Sequence, residues 1–126
     1  MLAKDSSGNF SDTTSRRMVF YVYNQSDMVF VYNYPNPFKN DTYFTFELRG
    51  SKIPDEFIIK IYTIAGRLIR EISVPPSNMN IGFNRVYWDG RDQDGDSIAN
   101  GVYFYKIITR LNQETRVITQ KLAKVK

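Results

Sequence analysis

Asp92, Asp94 and Asp96 alternate around Gly95, and alternating carboxylates with a glycine at the bend are the groups a calcium loop uses. The bidentate Glu that such a loop places further on is missing, because Ser97, Ile98, Ala99 and Asn100 follow. Asp and Gly are also ordinary turn formers. Asp89 to Asn100 therefore reads as a long acidic turn that needs no ion, with weak calcium binding at most. Two groups of cations invite the same weighing. Arg67 follows Gly66 where the chain must reverse, a place that requires no guanidinium, so it is either a solvated tip charge or a contact for a partner. Lys121, Lys124 and Lys126 close the chain around Leu122 and Val125. They serve either as edge charges that discourage aggregation or as contact residues.

The missing residue types narrow the chemistry further. With His 0 and Cys 0, the chain has no imidazole base or ligand, no thiol nucleophile, no zinc–thiolate site and no disulfide. Carboxylates and lysines remain, but no pocket signature gathers them. The sequence therefore predicts a non-catalytic protein with no cofactor and no metal. A net charge of +4 is spread along the chain among acids, which fits solubility better than nucleic-acid binding. Base-stacking platforms pair exposed aromatics with clustered Lys or Arg, and no such cluster sits beside the aromatic strands. Tyr21, Tyr23, Tyr32 and Tyr103 are the residues that could stack on sugar rings if exposed. No apolar run approaches the roughly 20 residues a membrane helix needs. Met1 to Asp5 is not a signal peptide, so a leader is expected upstream if the parent is exported.

The elements that must position these groups are strands. The chain has 126 residues, is 42% apolar and 15% aromatic, and is rich in Tyr, Phe, Ile, Val and Thr, which favours an all-β domain with its own core. Met18 to Tyr23 and Met28 to Tyr34 read as strands, and the second runs into Pro35-Asn36-Pro37-Phe38. Prolines one residue apart cannot sit in a central strand, so this segment is an edge or a bend. Tyr43 to Leu48 alternates, with Phe44, Phe46 and Leu48 on one face. Phe57 to Ile64 is the strongest strand, and it forms a hairpin with Arg67 to Val74 in which Gly66 supplies a positive φ. Val86-Tyr87-Trp88, Val102 to Thr109 and Arg116 to Val125 complete about seven strands after residue 27. That number suits an Ig-like antiparallel sandwich. Trp88, Phe46, Ile59, Ile61 and Phe104 are expected between the sheets.

Five segments, in order, resemble a known family: Tyr34-Pro35-Asn36-Pro37-Phe38; Ile59 to Ile69 with Gly66-Arg67; Trp88-Asp89-Gly90-Arg91-Asp92 through Gly95; Asn100-Gly101-Val102-Tyr103 through Ile107; and Lys121 to Lys126. They are similar to the type A C-terminal sorting domain of type IX secretion substrates. They are also similar to the related Ig-like domain of the flagellar hook-capping protein, and to the tail of sortase-like surface proteins. The resemblance covers residues 28–126. It implies an Ig-like domain at the end of an exported bacterial protein that passes the periplasm to the cell surface or outside. The partners it implies are the outer-membrane secretion apparatus, a sortase and an upstream domain of the same parent chain. It also implies contact roles for Pro35, Asn36, Pro37, Gly66, Arg67, Gly101, Tyr103, Lys121, Lys124 and Lys126. Residues 1–23 read as the remnant of a preceding Ig- or fibronectin-like domain, with 24–27 as linker, or else Met18 to Tyr23 adds an edge strand.

Overall fold

The computed structural model describes residues 27–125. Residues 28–48 and 53–125 make one compact unit, the one described below. The expected domain remnant at 1–23, linker residues 24–26 and Lys126 lie outside the described residues, while Asp27 opens the first strand.

Seven strands follow: β1 (Asp27–Tyr34), β2 (Thr42–Arg49), β3 (Glu56–Thr63), β4 (Leu68–Ser73), β5 (Gly82–Trp88), β6 (Gly101–Leu111) and β7 (Glu114–Lys124). A single 3₁₀ turn, Pro76–Asn78, lies between β4 and β5. The strands form two antiparallel sheets, ordered β1-β2-β5 and β4-β3-β6-β7, packed as an open Ig-like sandwich.

The period-2 pattern of the sequence explains the packing. On β2, Phe44, Phe46 and Leu48 point inward, and on β3 so do Phe57, Ile59 and Ile61; all six are buried. Rings join the sheets directly: Phe44 meets Tyr105 at 4.8 Å between centroids, and Phe46 stacks on Phe57 at 4.6 Å. Offset or tilted pairs of this kind add about 0.5–1.5 kcal/mol each beyond the area they bury. Trp88 is 1% exposed and rests on Phe44 and Phe38.

The structure corrects one expectation. Phe104 is only half-buried, and the inward face of β6 is instead Tyr103, Tyr105, Ile107 and Thr109. Register decides this, because Ile59 pairs with Ile107 and Ile61 with Tyr105, so the apolar face of β3 continues through them. Phe104 pairs with Tyr62 and Lys121 on the outer face. β5 also begins earlier than the sequence suggests. Asn84, buried in its middle, donates its amide to the carbonyls of Asn80 (2.7 Å) and Gly82 (3.0 Å). A polar side chain thus occupies the interior with its donors satisfied.

The β6–β7 hairpin turns on Asn112 (φ 53°) and Gln113 (φ 69°) between the paired Leu111 and Glu114. Two positive φ values are the pattern of the type I′ turn, which favours Asn-Gly. Asn adopts this region at lower cost than Gln. We expect Gln113→Gly to raise stability by about 0.5–1 kcal/mol, read as a shift of the urea midpoint at unchanged slope.

Tyr105 is 0% exposed, and its hydroxyl has no hydrogen-bond partner among the described residues. Burial pushes its phenol far above the ordinary value of 10.0. An acid held neutral in the fold stabilises fully below its unfolded value and loses that contribution as pH rises, because the unfolded chain gives up a proton the native state keeps. Stability should therefore fall by about 1.4 kcal/mol per pH unit above roughly pH 10. Denaturation followed against pH should show Tyr105→Phe losing most of that slope. At neutral pH the variant should be unchanged or about 1 kcal/mol more stable, because an unpaired buried hydroxyl is removed.

Candidate functional site

The segments singled out in the sequence meet at one end of the sandwich. β3 ends where β6 begins, with Thr63 opposite Tyr103, and β6 begins where β7 ends, with Gly101 opposite Lys124. β2 starts opposite the end of β5, Thr42 facing Trp88. The β1–β2 connection, the β3–β4 turn and the β5–β6 loop all lie at this pole.

The proline segment forms the link that closes it. Pro35, Asn36 and Pro37 are exposed in the bend between β1 and β2, and both X–Pro bonds, Tyr34-Pro35 and Asn36-Pro37, are cis. Directly after them Phe38 is fully buried. Its N–H donates to the Ala123 carbonyl and its carbonyl accepts from Val125 N–H, each at 2.9 Å, which makes a parallel bridge to the end of β7. The Asn36 side-chain oxygen accepts from Ala123 N–H at 3.0 Å. Lys124 Nζ donates to the Lys39 carbonyl at 2.7 Å and lies 5.8 Å above the Phe38 ring. The last strand is thus anchored to a bend 87 residues away in sequence. Gln120 adds a further tie, its Nε2 donating to the Val31 carbonyl on β1 at 2.9 Å.

The β3–β4 hairpin tip lies at the same end of the four-stranded sheet, on the edge opposite β7. Gly66, at φ 94° with open space around it, allows the turn that Thr63 closes by accepting from Gly66 N–H (2.9 Å) and Arg67 N–H (3.1 Å). Arg67 is exposed. Burial raises the Tyr103 phenol, and the Arg67 charge opposes the rise. Tyr103 itself is buried and donates to the Ala99 carbonyl at 2.6 Å, which ties β6 to the acidic loop.

That loop carries its own hydrogen bonds. Asp92 Oδ1 accepts from the N–H groups of Asp94 (3.0 Å) and Asp96 (2.9 Å), while Asp94 and Asp96 are exposed. Among the described residues no three His, Cys, Asp or Glu side chains gather as a metal site would require. Arg70, which the sequence reading missed, pairs with Asp89 at 3.2 Å and donates to the Arg91 carbonyl at 2.9 Å. Gln93 covers the free edge of β4, donating its N–H to Ile69 (2.7 Å) and accepting from Glu71 N–H (3.1 Å). An alternating strand carries no signal for such contacts with a distant loop.

Of the candidate contact residues, Pro35, Asn36, Pro37, Gly66, Arg67, Gly101 and Lys121 are exposed, Lys124 is half-buried and Tyr103 is buried. Tyr103 is therefore unavailable for stacking on a sugar, whereas Tyr32 is 53% exposed on the outer face of its sheet. Tyr21 and Tyr23 fall outside the described residues. No described helix is long and apolar enough to cross a membrane.

A family profile described as the FlgD Ig-like domain matches residues 33–112, more than half of the chain. No curated protein matches the sequence. Among solved structures the chain is similar to dimeric latent PorU of Porphyromonas gingivalis (TM-score 0.64, 20% identity), covering 80% of this chain and 9% of PorU. It is similar to truncated FlgD of Helicobacter pylori (TM-score 0.53, 17% identity), covering 85% of this chain and 76% of that one. It is also similar to PorZ of P. gingivalis, an essential surface component of that organism's type-IX secretion system (TM-score 0.49, 24% identity; 77% of this chain, 12% of PorZ). The first two likenesses concern the fold.

Proposed function

The chain belongs to the FlgD Ig-like domain family, and from that premise we propose that it is a non-catalytic sorting and anchoring domain of an exported parent protein. In this reading a type IX secretion apparatus recognises the folded domain and carries the parent across the outer membrane to the cell surface, where a sortase acts on it. Residues 28–126 form the sorting domain, and residues 1–23 belong to what precedes it in the parent. The reading is carried by the convergence at one pole. Segments that resemble the sorting-domain signature are spread from Tyr34 to the end of the chain, yet they lie at one end of the sandwich, where the proline segment is hydrogen-bonded to the end of β7. The contact residues proposed are Pro35, Asn36, Pro37, Gly66, Arg67, Gly101, Lys121, Lys124 and Lys126, with Tyr103 supporting them from beneath.

The family match also favours a second reading, a structural Ig-like domain within a larger assembly. A reporter separates the two. Fused to residues 28–126 and given a periplasmic leader, it should appear on the surface of a type IX host, while the reporter alone stays in the periplasm. Accumulation of the folded fusion in the periplasm would support the structural reading instead. Truncating the last six residues is a poor substitute for this test, because Leu122 is 1% exposed and its loss would damage the core.

A further inference from the structure

The four-stranded sheet ends in β4 at one edge and β7 at the other. Gln93 engages the β4 edge through Ile69 and Glu71. The β7 edge is engaged only at its end. Ala123 and Val125 turn their N–H groups away from β6 to Asn36 and Phe38, and the Ala123 carbonyl accepts from Phe38 N–H. Backbone groups along a strand face alternate sides, so Lys121, Thr119, Val117 and Thr115 present theirs to this same side. The hairpin agrees. Leu111 and Glu114 flank its two-residue turn as a hydrogen-bonded pair, which directs the even-numbered residues of β7 to β6. Thr115, Val117, Thr119 and Lys121 are exposed, and among the described residues nothing bonds their backbone N–H and C=O groups. β7 also pairs with β6 along its whole length without a bulge and contains no proline. An open, regular edge of this kind is a template for a further strand.

The side chains beside that edge define what the strand carries. On the outer face Lys121 lies across from Phe104, and Lys106 lies across from both Thr119 and Lys60. Lys106 sits 5.4 Å over the Tyr62 ring, and Glu71 faces Lys60 from β4. Among the described residues Lys60, Lys106 and Lys121 make no ion pair. Like charges on neighbouring strands repel, and carboxylates on an added strand relieve that repulsion. A second copy of β7 does the reverse, because its own lysines join the same sheet face. On the inner face Ile118 is half-buried against the core, and an apolar side chain beside it extends that cover. From the open edge and its lysines we propose that residues 115–121 bind an extended segment of a partner protein by strand addition. Its carboxylates lie on the outer face beside Lys121, and its apolar residues lie on the inner face beside Ile118.

This inference does not rest on the sorting role, because it is read on the purified chain and export can succeed or fail whatever the edge binds. The test is amide hydrogen exchange, followed by NMR, with the synthetic peptide Val-Glu-Val-Glu-Val-Glu-Val at millimolar concentration. Near saturation, exchange at Thr115, Val117, Thr119 and Lys121 should slow about tenfold or more, while the amides already bonded to β6 stay slow. The fully N-methylated peptide keeps the charges and lacks backbone donors, so it should give no protection. The lysine counterpart Val-Lys-Val-Lys-Val-Lys-Val should bind about tenfold more weakly to the native chain and gain on Lys121→Glu. Thr119→Pro removes an outward N–H at an edge position that tolerates proline, so it should keep the native spectrum and lose the peptide. Absent protection, protection elsewhere, equal binding of the N-methylated or lysine peptide, or native binding by folded Thr119→Pro would each overturn the proposal. Protection of the same amides on concentrating the chain alone would assign the edge to a second copy and overturn it too.

Discussion

Phe38→Ala should cost about 3–5 kcal/mol of stability, the largest single-residue loss expected from a surface connection of this chain. Phe38 is fully buried, tilts against Trp88 at 5.4 Å and lies beneath the Lys124 ammonium. Truncation leaves a cavity beside the indole and removes the wedge that holds the proline bend against β7. Small domains hold only about 5–15 kcal/mol in total, so the variant approaches the unfolding threshold. Local opening should appear first at the N–H groups of Ala123 and Val125, which bond Asn36 and Phe38. Hydrogen exchange at those amides should quicken more than at the central residues of β3 and β6. Phe83, 60% exposed, serves as the comparison, and its alanine variant should lose less than about 1 kcal/mol. A loss below about 1 kcal/mol for Phe38→Ala would mean that the bend is not anchored as described.

Gly90→Ala should cost about 3 kcal/mol or more, for a different reason. Gly90 sits at φ 74°, and a Cβ there would collide with the Asn40 carbonyl oxygen and come within 3.1 Å of Phe38 Cε2. Backbone strain and collision are separable, because Gly66 has φ 94° and a methyl added there would meet nothing within 4 Å. Gly66→Ala should therefore carry only the left-handed backbone penalty of about 1–2 kcal/mol. The difference between the two alanine variants measures how tightly the β5–β6 loop closes on the β1–β2 bend. Denaturant midpoints give both values, and equal losses would remove the close approach from the account.

These two sites show where sequence reading succeeds and where it stops. The alternation of Phe57, Ile59 and Ile61 marks an inward face because polar residues interrupt the other side, and register then carries that face across to β6. β6 itself is ambiguous, since Val102, Phe104 and Ile108 are as apolar as Tyr103, Tyr105 and Ile107. Only pairing with β3 resolves it, and pairing is not written in one strand. Phe83-Asn84-Arg85 carries no clear strand signal because Asn84 is polar, although its amide is satisfied within β5 and its turn. The motif segments are visible singly, and their turn chemistry is readable from Pro, Gly and Asp. Their meeting is not, because Asn36 and Ala123 are joined by closure of almost the whole domain. Arg70 and Gln93 escape for the same reason, since each acts on a segment about twenty residues away.

The most direct test of the central claim keeps the fold and alters only the pole. Arg67→Ala with Lys121→Ala removes exposed charge from the pole end of the four-stranded sheet, and Arg110→Ala with Glu114→Ala does the same at its opposite end. Both variants should melt within about 1 kcal/mol of the native domain, because exposed side chains contribute little to stability. Each is fused to a secreted reporter in a type IX host, and the fraction of reporter at the cell surface is measured. The account predicts that the pole variant loses roughly tenfold or more of its surface fraction, as a lost recognition of about 1.4 kcal/mol implies, while the opposite-end variant is exported normally. Equal export of the two folded variants would contradict it.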